Sequence, residues 1–194
     1  MESIQTIFKR ASYPAGLAAL FDAHTTMPLG SGQPRSDFEQ TLRAAHIETV
    51  FAPQQVRDAE AAHACLSGLW LFHNFIEQSH RICQALDTAE GSYWHAIVHR
   101  REPDFWNSKY WFRRVGRHAI FAELCRGAAA LAASHNSTAG RFLRGQKEWD
   151  ASAFVDLCEA CIDTGTDDEK LCEHVQMLEW HLLFAHCFRA AAGG

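Results

Sequence analysis

The sequence predicts an all-α protein, folded as a single-domain helical bundle, and three observations lead to this class. Helix start signals recur along the chain, among them the capping-box pairs Ser36 with Glu39 and Thr166 with Glu169. Alternation of apolar and polar residues, the signal of a half-buried strand, is nearly absent. The 194 residues are 47% hydrophobic, which is enough for one sizeable core, and no shift in composition divides them. We therefore expect one helical domain over residues 1–194, and a compact bundle rather than a solenoid because no internal repeat is visible.

The elements of the first half follow from Pro, Gly and capping residues. Pro14 can start a helix through AGLAALFDAH, and MPLGSGQP then predicts a loop. Ser36 opens a helix that runs to about Ala45. Pro53 is placed to begin a much longer helix over about 54–86, which Gly68 is expected to bend or divide.

The second half is divided by the same signals. Ser92 can cap a helix through about Arg101, Pro103 forces a break, and Asp104 opens another helix that ends before Gly116. The run HAIFAELCRGAAALAAS predicts a helix and HNSTAG a loop. The last two predicted helices run from Asp150 to near Asp163 and from Thr166 to about Ala191.

Charge and cysteine content exclude several classes of protein. A net charge of −5 and a pI near 6.2 do not suit a nucleic-acid partner. The amino terminus lacks the apolar core of a signal peptide, and no window approaches the length of a membrane helix, so we expect a cytoplasmic protein without a membrane partner. The seven cysteines are scattered through apolar helical surroundings and are expected to be reduced. Cys158-x-x-Cys161 with Cys172 and His174 has zinc-ligand residue types but lacks the turn residues of a zinc knuckle.

One stretch, residues 91–116, reads GSYWHAIVHRREPDFWNSKYWFRRVG and is rich in aromatic, histidine and basic side chains. It holds three of the six tryptophans, two of the three tyrosines, two histidines and five Lys/Arg. Core building ordinarily uses Leu, Ile and Val, so this composition predicts a functional site. No G-x-S-x-G, H-E-x-x-H or phosphate-cradling glycine loop accompanies it, which argues against nucleophilic catalysis.

Two helix faces carry the candidate catalytic residues and metal ligands. On a helical wheel, His73, Glu77 and His80 lie on one line beside the apolar face of the predicted helix 54–86. His95 and His99 form a matching line on the next helix. Antiparallel packing of two helices joined by the short loop DTAEG would bring the two lines together, with His73 and His95 within about 10 Å.

A divalent metal, Zn, Fe or Mn, is one ligand that such a set could hold. Imidazole nitrogen and carboxylate oxygen are suitable donors, and the interior of a bundle is where helix-borne ligand sets are built. Glu77-x-x-His80 has the spacing found in di-iron carboxylate bundles, but only one good copy is present. A metal-free polar pocket and a purely structural histidine cluster are the alternatives.

Arginines and aromatic residues around the histidines predict a site for a small anionic molecule. Guanidinium groups bind carboxylate or phosphate at two points, and aromatic faces stack on flat ligands. The candidate ligand-binding residues are Arg100, Arg101, Glu102, Trp94, Tyr110 and Arg113. Internal pairing is the competing explanation, because residues 148–179 hold ten Asp/Glu against one Lys.

The segment GSYWHAIVHRREPDFWNSKYWFRRVG, with GLWLFHNFIEQSH before it and LEWHLLFAHCF near the end, is similar to a family of uncharacterised helical proteins from bacteria and fungi. The similarity covers residues 60–120 well and implies no activity, cofactor or catalytic residue. The sequence therefore leaves two functions open: a His/Glu/Arg/aromatic pocket for a small anionic molecule, with metal-dependent catalysis as one form of it, or a non-catalytic binding or interaction protein whose polar cluster is structural. It gives no oligomeric state.

Overall fold

The computed structural model of the chain describes residues 13–21 and 26–193, and within these ranges it contains helices and no strands. The helices are α1 (Ala15–Ala18), α2 (Ser36–Arg43), α3 (Ile47–Val50), α4 (Ala59–Phe72), α5 (Ile76–Cys83), α6 (Ala89–Arg101), α7 (Phe105–Val115), α8 (Phe121–Leu131), α9 (Thr138–Gly145), α10 (Ala151–Cys161) and α11 (Asp167–Ala192). The predicted all-α helical bundle is confirmed. No helix in the described ranges has the length and apolar content needed to cross a membrane.

The core is built around the long C-terminal helix α11, which packs against α4, α8, α9 and α10. Aromatic side chains fill the centre, and Trp180 of α11 stacks on Phe184 at 4.9 Å between ring centroids. Trp180 also donates its indole N–H to the carbonyl oxygen of Gly68 at 2.9 Å. A Cβ atom at Gly68 would meet Trp94 Cζ2 at 2.8 Å, so glycine allows α4 to approach α6 closely.

The prediction of one helix over 54–86 is wrong. The chain forms α4 and α5 with a break at residues 73–75, where Asn74 has a φ of 63° in the left-handed region. Gly68, the expected position of the bend, lies inside α4. That helix begins at Ala59 rather than at Pro53, and the side chain of Asp58 caps it by accepting a hydrogen bond from the Ala61 backbone N–H. The break matters for the site because it ends the continuous line of His73, Glu77 and His80 on which the sequence argument depended.

Capping residues set most other helix ends. Asp104, Asp150 and Thr166 cap α7, α10 and α11 as predicted. Helix α6 begins earlier than predicted, because Thr88 rather than Ser92 is its cap. Ser137 caps α9, in a stretch predicted to be loop.

The start of the chain departs from the prediction in two ways. Ser36 is the first residue of α2 rather than its cap, and no side chain caps that helix. The predicted helix after Pro14 is observed as the single turn α1, and residues 22–24 of that prediction lie outside the described ranges.

Candidate metal centre

Three of the predicted histidines converge where α5 packs on α6. His80 comes from α5, and His95 and His99 come from successive turns of α6. One ring nitrogen from each lies within 4.8 Å of the other two. The closest pair is His80 Nε2 and His95 Nε2, which are 2.7 Å apart. The short connection 84–88 places the two helices side by side, as the sequence predicted.

Glu102 and Asn107 determine which ring nitrogen of His99 carries its proton. His99 Nδ1 lies 3.1 Å from Glu102 Oε2, a carboxylate oxygen that can only accept a hydrogen bond. His99 Nε2 lies 3.1 Å from the amide nitrogen of Asn107, which can only donate. Nδ1 therefore carries the proton, and Nε2 presents a lone pair.

The same carboxylate faces His80. Glu102 Oε1 lies 3.9 Å from His80 Nδ1, so the proton of His80 is favoured on that nitrogen and its Nε2 lone pair points to His95. A carboxylate that orients two imidazoles in this way is typical of the residues that surround protein metal ligands. Glu102 was predicted to bind a ligand directly, and the structure instead places it behind two histidines.

Burial lowers the pKa of two of the three histidines. The pKa of His95 is lowered to about 3, first by desolvation and then by the neighbouring His80 and His99. Desolvation also lowers the pKa of His80, against the opposing effect of Glu102. An imidazole must be neutral to bind a metal. Because the lowered pKa values keep these two rings neutral near pH 7, they could bind a metal there without first releasing a proton.

The cluster is closed on one side and open on the other. Trp111 of α7 stacks on the His95 ring at 3.9 Å between centroids, and Ser108 ties α7 to α6 by donating to the Ala96 carbonyl oxygen. On the other side, 29% of the His80 side chain and 32% of the Glu102 side chain are exposed to solvent. The cluster therefore meets solvent at His80 and Glu102, whereas His95 and His99 are buried.

The structure places His73 and Glu77, the other two predicted ligands, in other settings. His73 is fully buried at the end of α4, stacks on Phe38 at 4.1 Å and contacts the carbonyl oxygen of Leu20 through Nε2 at 2.8 Å. Glu77 has 73% of its side chain exposed and pairs with Arg81. Neither residue is in the group that joins His80, His95 and His99. The break at 73–75 separates His73 from the helix that carries His80. Glu77 lies on α5 with His80, but its side chain is exposed to solvent and pairs with Arg81.

Arg100 forms an internal ion pair rather than facing a ligand. Its side chain and that of Glu179 are both fully buried, and its Nη2 lies 2.5 Å from Glu179 Oε2. Its Nε donates to Gln176 Oε1 at 3.1 Å, and Tyr93 donates its hydroxyl to Glu179 Oε1 at 2.9 Å. Burial would lower the pKa of Arg100, but the Glu179 carboxylate outweighs it and the pKa is raised.

Arg101 is also fully buried, and most of its hydrogen bonds go to backbone carbonyl groups. It donates to the carbonyl oxygens of Gly30, Ser31 and Leu71, and to the side-chain oxygen of Asn74 at 2.6 Å. Desolvation first, and then Arg100, lowers its pKa to about 9. The anion-binding role predicted for Arg100 and Arg101 is thus replaced by a structural one, in which Arg101 holds the break between α4 and α5 against the loop at residues 30–31.

The remaining predicted ligand-binding residues are divided between core and surface. Trp94 is fully buried in the core. Tyr110 is 39% exposed and lies parallel to the exposed Trp106, with ring centroids 6.4 Å apart. The Arg113 guanidinium lies 5.9 Å from the Tyr110 ring. These three surface residues are on α7 and contribute no ring nitrogen or carboxylate to the histidine cluster.

A second group of ionisable residues was missed by the sequence argument. Glu90 Oε1 lies 3.2 Å from His186 Nε2 and 3.8 Å from His118 Nε2. The pKa of Glu90 is lowered to about 2, and the hydrogen bond between its carboxylate and His118 is the largest cause. The Ile120 backbone N–H points to His118 Nδ1 at 3.3 Å, which places the His118 proton on Nε2 and favours a carboxylate-histidine pair over a metal site. The three residues lie on separate parts of the chain, so no spacing in the sequence could have joined them.

The seven cysteines are all buried and free, in agreement with the expectation of reduced thiols. Hydrogen bonding with Cys158, and then burial, raises the pKa of Cys172 well above its usual range. Within the described part of the chain, the two groups with metal-ligand geometry are the histidine cluster and the Glu90 group, and neither contains a cysteine.

No family model, curated protein or solved structure matches this chain. The similarity of residues 60–120 to helical proteins from bacteria and fungi therefore stays a prediction.

Proposed function

We propose that the protein binds a divalent transition metal ion, with zinc as the best fit, through His80, His95 and His99. The observation that carries the proposal is the meeting of three ring nitrogens within 4.8 Å at a place open to solvent on one side. Three protein ligands and one open position are the arrangement of catalytic zinc sites, where the fourth position holds water or substrate. His95 and His99 also have the i, i+4 spacing that places two histidine ligands on one face of a helix.

Small movements, a change of tautomer at His95 and loss of the Asn107 hydrogen bond to His99 Nε2 separate the present geometry from a tetrahedral site. Nitrogen ligands about 2.0–2.1 Å from zinc lie about 3.3 Å from each other. The Nε2 atoms of His80 and His95, now 2.7 Å apart, have to separate slightly. The rings of His95 and His99 are inclined by 20°, and one of them has to rotate because each lone pair lies in its ring plane. The His95 proton has to move from Nε2 to Nδ1, which has no hydrogen-bond partner among the described residues.

A metal bound there would give the site its chemistry by polarising a ligand or by lowering the pKa of a water molecule. The residues of this chain would hold and orient it: the three imidazoles as ligands, and Glu102 as the carboxylate that lies beside the Nδ1 atoms of His99, at 3.1 Å, and of His80, at 3.9 Å. Metal-dependent action on a small molecule is the activity that such a site supports. We propose this as the enzymatic form of the function.

The second candidate is a metal-free cluster that joins α5 to α6. It is favoured by one observation, the 2.7 Å contact between His80 Nε2 and His95 Nε2, which is the length of a direct N–H···N hydrogen bond. In that case His95 donates to His80, and the cluster fixes how the two helices pack.

Elemental analysis of protein purified without an affinity tag or chelator separates the two candidates. We expect about one equivalent of metal per chain, restored by zinc after chelation, because three ligands define one tetrahedral site. The substitutions His80→Ala, His95→Ala and His99→Ala should each abolish stoichiometric binding. Glu102→Gln should weaken it by about 10- to 100-fold, the usual effect of losing such a partner.

The control is His174→Ala, since His174 is a half-buried histidine on α11, outside the cluster, whose ring contacts the Lys170 carbonyl oxygen. This variant should bind metal as the parent protein does. Cobalt substitution gives an independent readout, because a tetrahedral site produces intense visible absorption. Failure of zinc and cobalt to bind the parent protein would eliminate the metal proposal and leave the hydrogen-bonded cluster.

A further inference from the structure

A cavity of about 560 Å³ lies beside α8, and its walls differ from those of the histidine site. One wall comes from the start of α8 and the residues before it, and the other from residues 146–149, which connect α9 to α10. Its volume is in the range of small-molecule sites, which is about 300–1,000 Å³. A second cavity, of about 460 Å³, shares Phe121 and Trp149 with it.

The charge of the lining is opposite to that of the protein. Arg117, Arg126 and Lys147 line the cavity, and Glu148 is the one carboxylate among its lining residues. The whole chain has 23 acidic against 18 basic residues. Elsewhere its exposed cations often have an acidic partner, as Arg81 has Glu77. None of the three cavity cations lies within 4 Å of a described carboxylate, so their charge is available to a ligand.

The polar atoms in the walls that lack a partner are hydrogen-bond donors. Trp149 is 7% exposed, and its indole N–H has no acceptor among the described residues. The side-chain amide nitrogen of Gln146 is also buried without an acceptor, while the oxygen of that amide accepts from the Asp150 backbone N–H. Native structures rarely leave buried donors unpaired, and a ligand is one explanation when they do. Both atoms are closed to solvent, so a ligand oxygen would pair with one of them only after that side chain turned toward the cavity.

The rest of the lining is apolar and partly flat. Phe121, Trp149 and the small residues Ala122, Cys125 and Ala129 form these walls. Burial raises the pKa of the Cys125 thiol, so Cys125 contributes apolar surface rather than a thiolate. An inorganic anion alone would leave this surface unused, whereas a planar apolar group would cover it.

We propose that this cavity binds an organic anion, a molecule with a carboxylate, sulfonate or phosphate group on a planar apolar body. The anionic group lies among Arg117, Arg126 and Lys147, and the planar body lies against Trp149 and Phe121. The site is independent of the metal proposed at His80, His95 and His99. The sequence predicted a small anionic ligand, and the structure moves its expected position from Arg100 and Arg101 to this cavity.

The test uses 8-anilinonaphthalene-1-sulfonate as the probe, with isothermal titration calorimetry on the full chain. We expect saturable binding with one equivalent per chain. The double variant Arg126→Ala/Lys147→Ala should raise the Kd about tenfold, since two partly exposed charge contacts together supply about that factor. The matched control is Arg43→Ala/Lys170→Ala, which removes the same charge from exposed residues of α2 and α11, and it should leave the Kd unchanged.

Two further arms keep the result interpretable. Ala122→Trp fills the cavity without changing its charge and should also weaken binding, so that the proposal is tested even if the double variant folds poorly. N-phenyl-1-naphthylamine, which has the same aromatic body without the sulfonate, should bind at least tenfold more weakly. The proposal is overturned by equal affinity for the neutral probe, by an unchanged Kd in both cavity variants, or by several weak sites in place of one.

Discussion

The ion pair between Arg100 and Glu179 should be the most sensitive polar contact in the core. The two side chains are fully buried, 2.5 Å apart at their closest atoms. After Arg100→Ala, the Glu179 carboxylate keeps the Tyr93 hydroxyl as its partner among the described residues. Removing one member of a buried pair costs about 3–5 kcal/mol, because it leaves a charge without compensation. The guanidinium, 4.9 Å from the Phe154 ring centroid, also loses a packing contact.

We therefore expect Arg100→Ala to lower the free energy of unfolding by about 3–5 kcal/mol. For a chain of this length, that corresponds to a fall in Tm of about 6–20 °C. Urea unfolding followed by tryptophan fluorescence measures the first quantity, and thermal unfolding followed by circular dichroism measures the second. Arg100→Met/Glu179→Leu should recover much of the loss, because replacing both charges with apolar groups removes the uncompensated carboxylate.

The matched control is Arg81→Ala, which breaks the pair with the exposed Glu77. Surface pairs contribute about 0–1 kcal/mol, so this variant should be nearly as stable as the parent. If Arg100→Ala is no more destabilising than Arg81→Ala, the structural role assigned to Arg100 is refuted. The residue would then again be a candidate for binding a ligand.

Two further predictions concern packing and pH. Gly68→Ala should destabilise the protein by up to about 2 kcal/mol in urea unfolding, because overpacking against the Trp94 ring costs about 1–3 kcal/mol and the gain in helix propensity returns about 1 kcal/mol. The control is Gly145→Ala, whose added Cβ meets no atom within 4 Å and which should not destabilise the protein. The pKa of Glu90 is lowered to about 2 by His118 and His186, so its contribution to stability is present above the usual glutamate pKa and is lost as pH falls from about 4.5 to about 2. Glu90→Gln should remove that part of the acid dependence, and equal acid profiles for variant and parent in thermal unfolding would contradict the assignment.

Much of the fold was predictable because local signals agreed with one another. Asp104, Asp150 and Thr166 cap the helices they were expected to cap, since a side-chain oxygen next to unpaired backbone N–H groups acts locally. The break at residues 73–75 had no such signal. It depends on the left-handed Asn74 and on Arg101, which comes from the end of α6 to bind Leu71 and Asn74.

The candidate site was predictable in part for the same reason. His95 and His99 lie on one face of α6 by helical spacing alone, and the short loop before α6 brings His80 to them. Spacing could not show that the α4–α5 break would remove His73, or that Glu77 would be exposed to solvent and pair with Arg81. It also could not distinguish an arginine that faces a ligand from one whose partners are inside the protein.

The sequence by itself determined the helical class, several helix ends and the pairing of α5 with α6, because these depend on periodicity, capping and loop length within a few tens of residues. Only the tertiary structure decided what the charged residues do. Glu179 lies 79 positions from Arg100 and His186 lies 96 positions from Glu90, and the cavity between α8 and residues 146–149 joins cations from separate segments. Which charged residues become partners depends on how distant helices pack and on the free-energy cost of burying an unpaired charge. The spacing of residues within one helix shows neither.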